Sequence, residues 1–371
     1  MKDTRFSSWL SALRFALAWR SPPNGFAEVE VSIPLADGSS IRGTVVRARG
    51  SPARGWVILH GLTPRGLAHT ELRRFNHALA AAGMTVLVPE IQEWTRLDFA
   101  PIRAQEILRV AVDWLAGRPG IAPGGVSLMG VSFGAPQALA AAADPALAAK
   151  LRAVVGWGGY ADIERTFRFS FTGEHEWDGV AYRQPPDPYV RWIVGANCLP
   201  HATGLDDRGT VAPALRRLAI RAGKQEFEAW NASSDPAKAE IRRTLPAADR
   251  ALYDLFAPPA AGEPDRRASE TIVSELVRAA RRSIPLIEPL PGIGRLALPA
   301  RLLHARADQV IPFTETLRTA DWLGSRCDSL STRLTGLFTH SGEDIDERLW
   351  RRGLSNLDFL GALTGVFEAA G

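Results

Sequence analysis

The sequence predicts an α/β protein whose mostly parallel sheet is covered by helices on both faces. Short apolar segments alternate with helical ones from residue 56 to residue 155, which is typical of strands buried between two helical layers. Before them, residues 27–48 alternate apolar and polar side chains about Asp37 and Gly38, and this pattern predicts an N-terminal antiparallel hairpin. The alternation stops near residue 160 and resumes near residue 297, which indicates a large helical insertion between two late strands.

The individual strands and helices are predicted from the spacing of apolar residues in each segment. The buried strands are predicted at 56–59, 84–88, 126–129, 151–155, 300–305 and 331–334, and the core helices at 69–82, 101–117, 134–143, 314–324 and 344–367. The insertion shows charged, proline-broken helical pieces at 212–222, 235–243, 246–256 and 266–283, and no strand of the sheet. We therefore expect a helix within residues 1–24, a core formed by 25–159 and 297–371, and a cap or lid formed by 160–296.

Length and composition narrow the class of protein. The chain has 371 residues, and without the insertion about 230 remain, enough for one large α/β domain. Lys and Arg number 44 against 40 Asp and Glu, and no basic run marks a nucleic-acid surface. Cys198 and Cys327 are the two cysteines, so neither a disulfide framework nor a zinc site is indicated. We expect a cytoplasmic protein.

The N-terminal segment 6–19 places apolar residues at helical spacing. It is too short to span a bilayer, and Arg14 interrupts the apolar run, so neither a transmembrane anchor nor a signal peptide is predicted. We expect this helix to pack on the body of the protein or on a second subunit in a homodimer. Contact with a membrane surface is the alternative.

The sharpest motif is Gly130-Val131-Ser132-Phe133-Gly134, which fits G-x-S-x-G. It lies between an apolar strand and a helix-forming run, where a tight turn would expose the Ser132 hydroxyl at the carboxyl edge of the sheet. The N-terminus of the following helix favours negative charge at that place. The alternative is a glycine-rich turn whose serine has no function.

With this motif in this context, the chain resembles the α/β-hydrolase superfamily over about 27–158 and 297–367. In that family the serine is followed in chain order by an acid and then by a histidine, each after a later strand. The resemblance implies Asp308, just past the strand at 300–305, as the acid. It implies His340, before the last helix, as the general base that activates the serine.

Alternatives to these two residues remain in the sequence. Asp162 follows the strand at 151–155 and Asp344 opens the last helix, so both are rival acids. His60 is interpreted as a residue that stabilises its loop, not as a base. The remaining histidines lie on a predicted surface helix, inside the insertion or within a strand, and are weaker candidates: His69, His77, His175, His201 and His304.

The resemblance also implies an oxyanion hole, a pair of backbone N–H groups that bind the negative oxygen formed during acyl transfer. One donor would be Phe133, directly after the serine, and the other Leu62, in a short His-Gly loop. Trp157 and Tyr160, after the strand at 151–155, are expected to line the substrate pocket. The aromatic residues of the cap would roof that pocket above Ser132.

These observations predict a serine esterase that acts on a small-molecule ester with an apolar acyl or alcohol group. No phosphate-binding loop, dinucleotide fingerprint or metal-ligand cluster is present in the sequence, so no cofactor or metal is expected. An amidase, thioesterase or acyltransferase would use the same residues. A non-catalytic binding protein with this fold, or a membrane-peripheral lipase held by the N-terminal helix, would also fit the sequence.

Overall fold

The computed structural model describes residues 2–21, 26, 28–47, 53–205, 209–225, 229–336 and 353–370. The first part of the chain forms an N-terminal helix and then alternating strands and helices. Their bounds are α1 Lys2–Arg20, β1 Glu28–Pro34, β2 Ser40–Val46, β3 Ala53–Leu59, α2 Thr70–Ala81, β4 Met84–Pro89, α3 Gln92–Thr95, α4 Pro101–Ala116, β5 Ile121–Val131, α5 Gly134–Ala142, α6 Pro145–Ala148 and β6 Leu151–Trp157.

The insertion and the end of the chain follow β6. The insertion contains α7 Ile163–Thr172, β7 Glu174–Trp177, β8 Val180–Arg183, α8 Pro188–Cys198, α9 Val211–Gln225, α10 Asp235–Arg243, α11 Arg250–Phe256 and α12 Arg266–Ser283. The core resumes with β9 Ala300–Ala305, α13 Phe313–Gly324, β10 Leu330–Thr335 and α14 Gly353–Ala369. The predicted helix at 344–367 therefore lies partly outside the described residues.

Eight strands of the described ranges form one sheet in the order β1-β2-β4-β3-β5-β6-β9-β10. β1 pairs antiparallel with β2, and β2 pairs antiparallel with β4. From β4 to β10 every neighbouring pair is parallel. The predicted fold class, a mostly parallel sheet with helices on both faces, is confirmed. Because the parallel strands run the same way, the segments after β3, β5, β6 and β9 meet at one edge of the sheet.

α1 packs on the body of the protein, against α2 and α14 on one face of the sheet. Its inward side buries Ala12, Phe15 and Trp19 in the same apolar cluster as the strand residues Trp56 and Ile58. Burial of two large aromatic rings contributes several kcal/mol of hydrophobic stabilisation, at about 1.5–3 kcal/mol for each large side chain. Among the helices that the structure describes, none combines the length and apolar character needed to cross a bilayer.

The cap is not purely helical, and this corrects the prediction for the insertion. β7 and β8 form a separate antiparallel pair, joined by a turn in which Asp178 and Gly179 both have positive φ angles, of 51° and 75°. An Asp-Gly pair is the residue choice that such a turn favours, so this signal was present in the sequence. Helices α7 and α8 were also not predicted.

The cap and one face of the sheet share a continuous apolar cluster. Trp192, Leu215 and Tyr253 of the cap belong to the same cluster as Leu128 and Val154 of β5 and β6. All five side chains are fully buried. The cap is therefore packed onto the core by ordinary hydrophobic burial rather than attached by a loose linker.

Candidate active site

Ser132 occupies the turn between β5 and α5 in a backbone conformation that is rare for a residue with a side chain. Its φ angle is 56°, and a left-handed residue other than glycine costs about 1–2 kcal/mol. Two hydrogen bonds hold the turn: the Ser132 N–H donates to the Trp157 carbonyl at 2.8 Å, and the Ala135 N–H donates to the Ser132 carbonyl at 2.9 Å. Such strain is typical of functional positions.

Glycines around this turn allow chain segments to approach closer than side chains would permit. A Cβ atom on Gly130 would lie 2.1 Å from the Gly134 carbonyl oxygen, and one on Gly159 would lie 2.6 Å from the Ala135 Cβ. A Cβ atom on Gly61 would lie 3.2 Å from the Ser132 Cβ. Packing therefore requires glycine at positions 130 and 159, and it leaves little room for a side chain at Gly61.

The substitution Gly130→Ala is expected to lower the free energy of unfolding by more than about 4 kcal/mol. The added methyl group would overlap a backbone carbonyl, which cannot move without opening the turn. Thermal unfolding followed by circular dichroism measures the change. Gly324→Ala is the matched control, because a Cβ atom there would meet nothing within 4 Å; equal melting temperatures for the two variants would contradict this account of the turn.

The two N–H groups expected to form the oxyanion hole are available beside Ser132. Within the described residues, neither the Leu62 N–H nor the Phe133 N–H donates a hydrogen bond. Leu62 follows Gly61, which touches the serine, and Phe133 is the next residue after it. Free donors held by a rigid backbone are what stabilisation of a developing oxyanion requires.

His60 is buried behind this loop. Its Nδ1 lies 2.7 Å from the Gly61 carbonyl oxygen and so donates to it, and its ring packs edge-on against Trp94 at 5.6 Å. Burial lowers the pKa of His60, which keeps the ring neutral. The geometry fits a residue that stabilises the loop, as interpreted from the sequence.

Asp308 lies in the loop that follows β9 and is 2% exposed. Its Oδ1 accepts hydrogen bonds from the Val310 and Ile311 N–H groups at 2.9 and 3.0 Å. Its Oδ2 lies 3.3 Å from His304 Nε2. These contacts fix the orientation of the carboxylate at the carboxyl edge of the sheet.

His304 is a residue near the site that the sequence pattern did not favour. It is fully buried in β9, its Nε2 donates to the Ile311 carbonyl at 2.9 Å, and its Nδ1 lies 2.7 Å from Thr316 Oγ1. It therefore supports both the Asp308 carboxylate and the loop around it. The sequence feature that could have indicated this role is the position of His304, four residues before Asp308.

The rival residues lie in different surroundings. Asp162 caps helix α7 by accepting from the Arg165 N–H at 2.9 Å, lies 3.6 Å from Arg281, and is not among the described residues that line the cavity at Ser132. Asp344 and His340 lie outside the described residues. Of the predicted nucleophile, acid and base, the structure thus places Ser132 and Asp308.

A cavity of about 410 Å³ opens at the carboxyl edge of the sheet. It is lined by the predicted site residues that the structure describes: Leu62, Ser132, Phe133, Trp157, Tyr160 and Asp308. Its size is within the range of small-molecule sites. In the described part of the chain, no group of three or more His, Cys, Asp or Glu side chains could hold a metal ion.

Aromatic rings form two walls of the cavity. In one wall, Phe133 stacks on Phe99 at 5.1 Å and on Tyr160 at 5.9 Å. On the other side, Trp157 packs edge-on against Phe75 at 5.6 Å, and Trp19 of α1 also lines the cavity. The N-terminal helix thus contributes to the site, which its sequence pattern did not predict.

Arg65 connects the cap to the loop that contains Leu62. Its Nε and Nη2 donate to the carbonyls of Gly223 and Lys224 in the last turn of α9, both at 3.2 Å. A Cβ atom on Gly223 would lie 2.6 Å from the Pro64 Cδ, so α9 rests directly on this loop. Because Arg65 is three residues after Leu62, the cap supports the backbone that carries one of the two N–H groups expected to form the oxyanion hole.

The strand order, the antiparallel second strand and the strained serine between β5 and α5 define the α/β-hydrolase fold, and the chain has this fold. No protein-family model and no curated protein matches the chain. Solved structures similar to it include an esterase of Pyrococcus furiosus, with 14% identity over 91% of each chain and a TM-score of 0.47. A second is the α/β hydrolase GrgF of Penicillium sp. sh18, with 16% identity over 91% of this chain and 99% of that chain and a TM-score of 0.42. A third is the esterase domain of a Rhodothermus marinus protein, with 13% identity over 90% of this chain and 98% of that chain and a TM-score of 0.43.

Proposed function

We propose that the protein is a serine hydrolase that cleaves carboxylic esters of small molecules, with Ser132 as the nucleophile. One observation carries the proposal: the strained Ser132, two unengaged backbone N–H groups and the buried Asp308 face one cavity. A turn that serves only to connect a strand to a helix gains nothing from this strain. The arrangement therefore favours an enzyme over a binding protein with the same fold.

In the proposed acylation step, His340 accepts the proton of the Ser132 hydroxyl while the oxygen attacks the ester carbonyl. The carbonyl oxygen becomes an oxyanion and accepts hydrogen bonds from the Leu62 and Phe133 N–H groups, one of which commonly contributes about 3–4 kcal/mol. His340 then donates its proton to the departing alcohol, and the acyl group remains on Ser132. Asp308 accepts from the second ring nitrogen of His340 and stabilises the imidazolium.

Deacylation repeats these steps with water as the nucleophile. His340 removes a proton from water, the hydroxide adds to the acyl carbon, and the bond to Ser132 breaks as the proton returns to the serine. The products are a carboxylic acid and free enzyme. In this proposal residues 160–296 act as a cap that limits access of bulk water to the cavity.

A fluorophosphonate probe, which reacts with activated serines, tests the proposal. The wild-type protein is expected to be labelled and Ser132→Ala is not, because the probe requires the deprotonated Ser132 oxygen. Ser39→Ala, in the exposed turn of the hairpin, is the control and keeps its label. Absence of label on the wild type would favour a non-catalytic protein with this fold.

Amidase, thioesterase and acyltransferase activities use the same residues. Hydrolysis of matched p-nitrophenyl ester, anilide and thioester substrates separates them by their relative kcat/KM values. We expect the ester to be preferred, since p-nitrophenolate is a stable anion and a much better leaving group than the amine of the anilide, which requires protonation to depart. An anilide hydrolysed faster than its ester would assign the protein to the amidases.

A further inference from the structure

The cavity continues from Ser132 into a space between the core and the cap, called the cap chamber here. The core side of this chamber is the stacked wall of Phe99, Phe133 and Tyr160. The cap side includes Phe167 and Ile193. All of these rings and the isoleucine present apolar surface, so the chamber favours an apolar ligand group.

Several polar side chains of the lining have already used their hydrogen bonds on the backbone. The Tyr160 hydroxyl donates to the Ile287 carbonyl at 2.6 Å, and the Thr166 hydroxyl donates to the Asp162 carbonyl at 2.8 Å. Arg65 donates to two carbonyls of α9. A charged ligand group would lose its hydration on entering the chamber, and these residues have few free hydrogen bonds to replace it.

One carboxylate of the cap, that of Asp187, lines the chamber. Its Oδ1 accepts from the Tyr189 N–H at 2.9 Å and caps α8, where the helix dipole favours negative charge. Arg191 is one turn further along and 4% exposed; burial lowers the pKa of Arg191 to about 10, and the charge of Asp187 acts in the opposite direction. The negative charge of Asp187 is therefore balanced from within the cap.

The Tyr189 hydroxyl differs from these groups. Tyr189 lines the chamber, and among the described residues its hydroxyl is influenced by burial and by the charge of Asp187 but by no hydrogen bond. It lies beside Gly223, another lining residue, where a Cβ atom would be 3.0 Å from the hydroxyl oxygen. Burial raises the pKa of Tyr189, so the group remains a neutral donor.

We propose that the cap chamber binds an uncharged, apolar part of the ester substrate that carries one oxygen atom, and that the Tyr189 hydroxyl donates a hydrogen bond to that oxygen. The proposal rests on the hydrolase function given above and names the class of substrate for it. The apolar walls of the chamber discriminate by shape, and the Tyr189 hydroxyl, a lining group of the described residues, adds a polar contact. A substrate that presents an oxygen there is preferred over its hydrocarbon counterpart.

Two ester series test the position and nature of this contact. The first comprises p-nitrophenyl octanoate and its positional oxo-octanoates, and the second comprises octyl acetate and its oxo-octyl counterparts, so that either the acyl or the alcohol group can enter the chamber. The measured quantity is kcat/KM for each oxo ester divided by that of its parent. Tyr189→Phe is expected to lower this ratio about fivefold for at least one oxo position of one series. This factor corresponds to the loss of one neutral hydrogen bond.

Tyr182→Phe is the matched control, because Tyr182 lies in β8 and stacks on His175 away from the chamber; its ratios should equal those of the wild type. Circular dichroism and melting temperatures establish that each variant is folded. p-Nitrophenyl esters of suberic acid and of 8-aminooctanoic acid add a negative or a positive charge at the chain end. If the acyl series responds to Tyr189→Phe, each charged ester is expected to react at least about 100-fold more slowly than the octanoate, because the charge would lose its hydration.

Unchanged ratios in Tyr189→Phe at every position of both series would overturn the proposal. If the acyl series is the one that responds, either charged ester reacting as fast as the octanoate would also overturn it. These outcomes are separate from the proposed function, which fluorophosphonate labelling of Ser132 measures independently. If the wild type is labelled and the ratios do not change, the assignment of the chamber fails and the hydrolase function stands. If the wild type is not labelled, the hydrolase function itself fails.

Discussion

Replacement of His340 by alanine is expected to lower kcat for ester hydrolysis by about 10⁶-fold, the loss typical when the base of a serine nucleophile is removed. Without a base, the Ser132 hydroxyl keeps its proton and attacks poorly. Initial rates with p-nitrophenyl butyrate measure the effect. Because His340 lies outside the described residues, this variant provides the most direct evidence for its role.

The controls for this prediction are two histidines of the described part of the chain. His201→Ala removes an exposed ring of the cap and should leave kcat unchanged. His69 is the more demanding comparison, because it lines the cavity and caps α2 by accepting from the Leu72 N–H. If His69→Ala lost activity and His340→Ala kept it within tenfold, the base would have to be reassigned.

The second large effect is expected for Asp308→Asn, which should lower kcat by about 10⁴-fold. An amide oxygen can still accept from the Val310 and Ile311 N–H groups, so the loop is retained. The amide nitrogen, however, is a donor in place of the carboxylate acceptor. In the proposed mechanism His340 then loses the partner that fixes the tautomer and orientation of its ring. Steady-state kinetics, with thermal unfolding to verify the fold, measure the outcome.

Asp162→Asn is the matched control, since asparagine preserves the cap of α7. Its kcat is expected to remain within about tenfold of the wild type, because Asp162 makes contacts with Arg165 and Arg281 and the carboxylate does not line the cavity. A large loss in Asp162→Asn together with an active Asp308→Asn would place the acid after β6.

The sequence predicted those parts of the site that depend on local chain geometry. Ser132 lies where a strand must turn sharply into a helix between two glycines, and that requirement can be read from neighbouring residues. Asp308 was implied by the resemblance to the α/β-hydrolase superfamily, from its position just after an apolar strand. Parallel strands then bring both residues to one edge of the sheet without further information.

Features that depend on how distant segments pack were not predictable in this way. Trp19 reaches the cavity because α1 packs across α2, and no pattern within α1 shows that path. His304 was not predicted to contribute, since its contact with Asp308 depends on the curvature of the loop between them. The β7–β8 hairpin was missed for a different reason: its strands have four residues each, too few for a clear alternating pattern.

Under the proposed function, the contact of Arg65 with the end of α9 bears on how the enzyme diversifies. A cap that only covered a pocket could be exchanged for another, and the exchange would alter substrate preference alone. Here the same helix that helps shape the chamber also supports the backbone three residues after Leu62. Selection for a new substrate therefore acts at the same time on the rate of the chemical step, so this cap and its core are expected to evolve as one unit.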